Sequence, residues 1–364
     1  MAQPRETLHS IHIIIFIYLI QSGVVLFSLP RILAQGFGTN GWAALFIISG
    51  GGMVSILLIG AVYRMGEGES IFIILENSMP KVFIYVLYSS LIIIWSLLAC
   101  IVGKQYLFIF QLIAGPTASE MVLKMAYAFL AYLIAVKSLY NIGKLAFLFF
   151  ILTIWMLVLN VFLLDDVSLV HFPPFLFKDG GNWIKASFDV FTSLLGFELS
   201  ILFFPYVNKR SRLIVSVLIG NAVTTVVYLI TCIMCFGFFG YEYLKVLIFP
   251  FIDLLSNIEL PFIERIENFL YALFLFKALM GSVMYYWAAK ECAARVFKKT
   301  GEEKIVFFLI AATYFISFIP STLDEISTWL GFLANAETVI AFALPALVIA
   351  VLFFRKRGMS HAKG

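Results

Sequence analysis

The sequence predicts an all-α integral membrane protein of about ten transmembrane helices. Composition is the first reason: of 364 residues, 62% are hydrophobic and 13% charged, with a mean hydropathy of +1.02. A soluble chain carries roughly twice that charged share. Spacing is the second. Uncharged stretches recur at Thr7–Pro30, Ile32–Tyr63, Val82–Gly103, Leu145–Leu164, Leu213–Tyr241 and Ile305–Leu323. Each is near or above the ~18–20 residues that cross a bilayer as a helix. The third is pattern: these runs are continuously apolar, not alternating, so they read as helices and not as barrel strands.

In order, the spans are expected at about 9–34, 41–63, 82–110, 121–137, 143–164, 186–206, 212–239, 264–296, 304–320 and 332–354. The first has no small-residue cleavage site and runs into a second span, so it reads as a retained helix and not a signal peptide. The eighth is long and must tilt or project. Two connections are long. Asp165–Lys185 holds Pro173-Pro174 and Gly180-Gly181. Tyr241–Ile263 holds Pro250 and Pro261 around a short amphipathic stretch, expected as a helical hairpin at the membrane surface. Charge sets orientation. With the amino terminus in the cytoplasm, Arg31, Lys124, Lys178, Lys185, Lys245 and Arg265 face outward and Lys104 and Lys277 lie within spans. The other seventeen of the 25 lysines and arginines face inward. That asymmetry expects both termini inside, hence an even number of spans. The formal charge of +4 then reflects topology and not nucleic-acid binding.

Two spans are interrupted alike. The first reads Gln21-Ser22-Gly23-Val24-Val25-Leu26-Phe27-Ser28-Leu29-Pro30. The sixth reads Leu194-Leu195-Gly196-Phe197-Glu198-Leu199-Ser200 and runs on to Phe204-Pro205. A helix broken in the membrane exposes backbone groups that lipid cannot satisfy, so such a break survives only beside a cavity. Ten spans divide into five plus five at the Asp165–Lys185 loop, and an odd number per half inverts the second. The breaks then open each half, which is the inverted-repeat plan of the LeuT-type fold. The units expected are a first repeat at 1–165, an extracytoplasmic loop at 166–185, a second repeat at 186–355 and a cytoplasmic tail at 356–364.

Paired breaks point to a small-molecule site at the midplane. At the first, amides and the positive dipole end of the outer half-helix suit a carboxylate. At the second, the outer half-helix ends in carbonyls that suit an ammonium. A small amino acid is the natural ligand. The glycines equally suit close helix packing. Glu198, Lys277, Lys104 and Glu337 are intramembrane charges, each costly unless paired or hydrated. Glu198 reads either as a carboxylate satisfied by local amides or as a ligand or proton contact. Lys277 could pair with it, replace a sodium ion electrostatically, or be a structural lysine. Glu264 and Glu267, one turn apart, open span 8 either as a solvated helix start or as a contact surface for another subunit.

Catalysis has little support. Cys100, Cys232, Cys235 and Cys292 lie in or beside apolar spans, and the C-x-x-C at 232–235 sits inside a membrane helix, where small buried residues are the plainer reading. His9, His12, His171 and His361 are scattered, with no metal cluster and no nucleophile–His–acid set, so no cofactor and no enzyme activity are expected.

Three stretches carry a resemblance: the opening span ending Leu29-Pro30, the Gly196–Pro205 segment running into Phe204-Pro205-Tyr206-Val207, and Pro261-Phe262-Ile263-Glu264-Arg265-Ile266-Glu267 ahead of span 8. In these the chain resembles the GerAB-type B subunits of spore germinant receptors, within the amino acid–polyamine–organocation transporter superfamily. The resemblance implies a protein of the inner spore membrane that senses a small amino acid or similar nutrient and works with a membrane-embedded A subunit and a lipoprotein C subunit. The candidate ligand residues are Gln21, Ser22, Gly23, Val24 and Val25 at one break and Leu194, Leu195, Gly196, Phe197 and Glu198 at the other. Trp95 and Ala99 on span 3 and Lys277 on span 8 are added from helix placement. A proton-coupled amino acid transporter and a partner-gated channel component are the alternatives, since one fold hosts all three.

Overall fold

In a bilayer each backbone amide must bond within its own segment, and this chain does so with helices. The computed structural model describes residues 7–113, 117–208, 211–258 and 266–361, without the side chains of 266–267 and 356–361. The first segment comes in three pieces: α1 (Ser10–Gln21), a 3-10 turn (Val24–Phe27) and α2 (Leu29–Phe37). Pro30 sits in the first turn of α2, where its missing N–H costs nothing. Next come α3 (Ala44–Met65), α4 (Ile71–Ser78), α5 (Lys81–Ile113), α6 (Glu120–Ala135) and α7 (Leu139–Ile154), the last continued by a 3-10 stretch (Trp155–Leu163). The second half opens with α8 (Trp183–Thr192) and a 3-10 segment (Phe197–Tyr206). It continues through α9 (Leu213–Phe239), the short α10 (Tyr241–Leu244) and α11 (Pro250–Leu255), then α12 (Ile266–Val296), α13 (Glu302–Ile316) and α14 (Leu323–His361).

Among the described residues, seven helical segments are long and apolar enough to cross a bilayer: Gly41–Met65, Lys81–Ile113, Leu139–Leu163, Trp183–Tyr206, Leu213–Phe239, Asn268–Val296 and Leu323–Arg355. Three of the ten expected spans fall short of that length by themselves: α1, α6 and α13 have 12, 16 and 15 residues. Several edges also move. α8 begins at Trp183, three residues before the expected 186, and the last helix begins at Leu323 instead of 332. It runs through to His361, so the expected 356–364 tail extends the helix through that residue. In the Tyr241–Ile263 connection, α11 turns Phe251 inward against Phe27 and Phe274, at ring distances of 6.4 and 6.0 Å. Pro261, Glu264 and Arg265 lie outside the described residues, as does the side chain of Glu267.

The core centres on α1, whose residues from Ile15 to Gln21 are all buried. It packs on α7, α9 and α12. Gly220 allows α9 that approach: a Cβ there would lie 2.7 Å from Ile17 Cβ and 2.9 Å from the Ile14 carbonyl. α12 runs along α5, fastened by Tyr106 and Tyr271. Their rings stack at 5.2 Å, and each hydroxyl donates to the other's backbone carbonyl, at 3.2 and 3.0 Å. At the end carrying the amino terminus, the two broken segments are tied together. Leu8 N donates to Tyr206 O at 2.9 Å, Ser211 Oγ to Leu8 O at 2.9 Å, and Ser10 Oγ to Ser211 O at 2.7 Å.

Candidate functional site: a cavity between two helix breaks

The breaks arise differently. After Gln21 the Ser22 amide still reaches Tyr18 O at 2.9 Å, but the Gly23 amide folds back to Gln21 O at 2.8 Å and the helix ends. Gly23 has φ −84° and ψ −152°, an extended conformation open to any residue. At the second break the amides of Ser193, Leu194 and Leu195 shift to carbonyls three residues back, at 3.1, 3.0 and 3.3 Å. Gly196 then takes φ +120°, a conformation glycine alone adopts cheaply. It also presses on the first segment, since a Cβ would lie 2.5 Å from Ile20 Cγ2.

Side chains from α1 and α9 join the breaks. Gln21 Nε2 donates to Leu194 O and, at 2.9 Å, to Asn221 Oδ1. The Tyr228 hydroxyl lies 2.5 Å from Gln21 O and 3.1 Å from Ser193 O, one hydrogen serving both. Thus the carbonyls of Ser193 and Leu194, expected to be free for an ammonium, are already engaged by the protein.

Between the breaks lies a cavity of about 620 Å³, within the roughly 300–1,000 Å³ usual for small-molecule sites. Of the residues expected from sequence, Gln21, Gly23, Val24, Val25 and Leu195 line it. So do Gln105 of α5, Tyr285 of α12 and Asn335 of α14, which sequence reasoning missed. Arg31, Lys185 and Asp189 supply charge to its wall; in the sequence they register only as loop or helix-end charges. Gln21 Oε1 and Gln105 Oε1 are buried without a hydrogen-bond partner among the described residues, as is Ser22 Oγ behind the wall. A buried carbonyl oxygen left so is costly, and the two amide oxygens belong to residues that face the cavity.

The other expected residues stand outside that lining. On α5 the cavity takes Leu98, Val102 and Gln105, whereas Trp95 donates to both Glu337 oxygens at 2.9 Å and the Ala99 carbonyl accepts from Ser282 Oγ at 2.6 Å. One residue turns a helix by about 100°, so seven bring Trp95 to within about 20° of Val102: Trp95 shares that face of α5 two turns away along the axis, and Ala99 lies about 60° round from it. Leu194, Gly196, Phe197 and Glu198 are buried behind the second break. Glu198 Oε2 accepts from the Gly196 amide at 2.6 Å and Oε1 from Tyr285 at 3.1 Å. Lys277 donates to the Tyr18 hydroxyl at 3.0 Å and lies over the Tyr18 and Phe274 rings at 5.1 and 5.0 Å. The expected Glu198–Lys277 ion pair therefore does not form: each side chain has other partners. Lys104 caps the carbonyls of Ser317 and Pro320.

Solved structures share this architecture. The chain resembles MhsT in complex with L-phenylalanine, with a TM-score of 0.66 at 16% identity over 96% of this chain and 90% of that one. It resembles Mhp1, a nucleobase-cation-symport-1 family transporter with bromovinylhydantoin bound, with a TM-score of 0.66 at 10% identity over 95% and 80%. The fold is thus the all-helical LeuT-type fold. Among sequences, the chain is 22% identical to spore germination protein GerQB of Bacillus cereus over 90% of this chain and 92% of that protein. It is 24% identical to spore germination protein B2 of Bacillus subtilis (strain 168) over 93% of each. It is also 27% identical to spore germination protein YndE of that strain, over 44% of this chain and 45% of YndE, less than half the length of either. The profile of the spore permease family, described as spore germination protein, matches residues 7–326. The chain is a multi-pass membrane protein and belongs to the spore permease family of spore germination proteins.

Proposed function

We propose that the chain is the B subunit of a nutrient germinant receptor and binds a small amino acid in the cavity between its two helix breaks. The observation that carries this reading is the coincidence of that cavity with both breaks in a member of a germination family. The unpartnered oxygens of Gln21 and Gln105 offer acceptors to an ammonium, and Arg31 and Lys185 offer positive charge to a carboxylate. L-phenylalanine in MhsT is consistent with an amino acid ligand on this fold.

On this reading the chain makes ten crossings, five per inverted repeat, with the divisions at 165 and 186 and both termini in the cytoplasm. It resides in the inner spore membrane and signals through a membrane-embedded A subunit and a lipoprotein C subunit. A receptor needs only to shift a conformational equilibrium by its ligand's differential affinity, whereas a transporter must also reorient and release. The test is reconstitution of the purified chain into liposomes with a labelled small amino acid and an imposed proton gradient. Little net uptake is expected. Robust concentrative uptake without any partner would make the chain a proton-coupled transporter.

A further inference from the structure

Two acidic side chains meet inside the bundle. Glu198 follows the Gly196 break, Glu337 lies on α14, and they are 4% and 0% exposed. Their carboxyl groups lie within hydrogen-bonding reach of one another. The other contacts are donors. Trp95 Nε1 serves both Glu337 oxygens at 2.9 Å, the Gly196 amide serves Glu198 Oε2 at 2.6 Å, and the Tyr285 hydroxyl serves Glu198 Oε1 at 3.1 Å. Among the described residues neither carboxylate has a salt bridge. The intramembrane lysines Lys277 and Lys104 are committed elsewhere, Lys277 to Tyr18 and Lys104 to the Ser317 and Pro320 carbonyls. Among the described residues, the hydrogen-bond donors to the pair are Trp95 of α5, Tyr285 of α12 and the Gly196 amide, and of these Tyr285 is titratable.

An ionised carboxylate only accepts hydrogen bonds, so two of them cannot bond to each other unless one carries a proton. Two like charges in contact, out of water and without a cation, cannot both be ionised. We propose that Glu198 and Glu337 form a proton-binding site that holds one proton between them and thereby fastens the Gly196 break to α14. Losing that proton would set two negative charges against each other across the joint. Tyr285 both lines the ligand cavity and donates to Glu198, so proton occupancy and cavity occupancy are linked, and each shifts the other reciprocally. The site rests on burial and contact alone and stands whether or not the chain is a germinant receptor.

The test is infrared spectroscopy of the full-length chain in detergent at neutral pH, native against E198Q/E337Q. The native-minus-variant spectrum is expected to contain one protonated carboxylic acid signal and one carboxylate signal. Two carboxylate signals, or two acid signals, would overturn the proposal. Should the double variant accumulate poorly, unfolding of the native chain and of Glu337→Gln is followed against pH. The native folded state then holds a proton that the unfolded state has released, so its stability falls as pH rises above the ordinary glutamate range. The introduced glutamine amide supplies that hydrogen permanently, so the variant's slope is expected to be shallower by up to one proton. Identical slopes would overturn the proposal.

Discussion

Gly23 and Gly196 look alike in the sequence and differ in the fold. Gly196 needs its glycine twice, for φ +120° and for the Ile20 side chain 2.5 Å from any added Cβ. Gly23 is extended, and a Cβ there meets nothing within 4 Å. Gly196→Ala should therefore cost about 1–3 kcal/mol, the usual range for a residue forced into a sparsely populated conformation. Gly23→Ala should leave stability within about 0.5 kcal/mol of the parent. Thermal unfolding in detergent measures both, and equal losses would refute the distinction. The sequence marks both glycines as breaks because each interrupts an apolar run. It does not reveal which is conformationally obligatory, since that depends on Ile20, some 176 positions away in the other half. The same holds for Glu198: its charge in an apolar span is conspicuous, but the choice of Tyr285 over Lys277 is made by packing.

At the level of elements, α9 is the least expected contributor. None of its residues lines the cavity, yet Tyr228 holds the Gln21 and Ser193 carbonyls and Asn221 holds the Gln21 amide. A hydroxyl in a helix that reads as uniformly apolar gives no sequence signal, because its target is backbone and not a complementary side chain. Tyr228→Phe removes one shared donor while keeping the ring. It should cost about 0.5–1.5 kcal/mol, or more if both carbonyls are left unpaired. Hydrogen exchange should quicken at residues 21–25 and 193–198 while α13, which Tyr228 does not bond, stays unchanged. Uniform acceleration across the chain would indicate general loosening instead. The extents of α5, α9 and α12 were legible from apolar length alone, and those of α6 and α13 to within four residues at each edge, whereas α14 begins nine residues before its expected start. On α5 the cavity takes Leu98, Val102 and Gln105 and not Trp95 or Ala99, because an all-round apolar helix has no polar stripe to show which of its residues reach a cavity or how deep the cavity runs.

For the whole molecule, the fold class followed from composition and the paired breaks, and it agrees with solved structures at identities of 10–16%. The direction of insertion is a separate matter of charge. With seventeen lysines and arginines expected inside against six outside, a cysteine at Asp179 should react with an impermeant thiol reagent from the outer side and one at Ser360 should not. The reverse pattern would invert the topology. The closure at Leu8, Tyr206 and Ser211 lies at the expected cytoplasmic end, so the cavity and its charged residues Arg31, Lys185 and Asp189 belong to the opposite half. The most direct test is ligand-induced stabilisation of the purified full-length chain by each of the common amino acids, native against Gly23→Leu. A ligand bound only by the folded state stabilises it by about 2.7 kcal/mol at a hundred times its Kd. At least one small amino acid should raise the native unfolding midpoint and leave that of Gly23→Leu unmoved. An equal shift in the variant, or no shift of the native chain with any amino acid, would contradict a germinant site between the breaks.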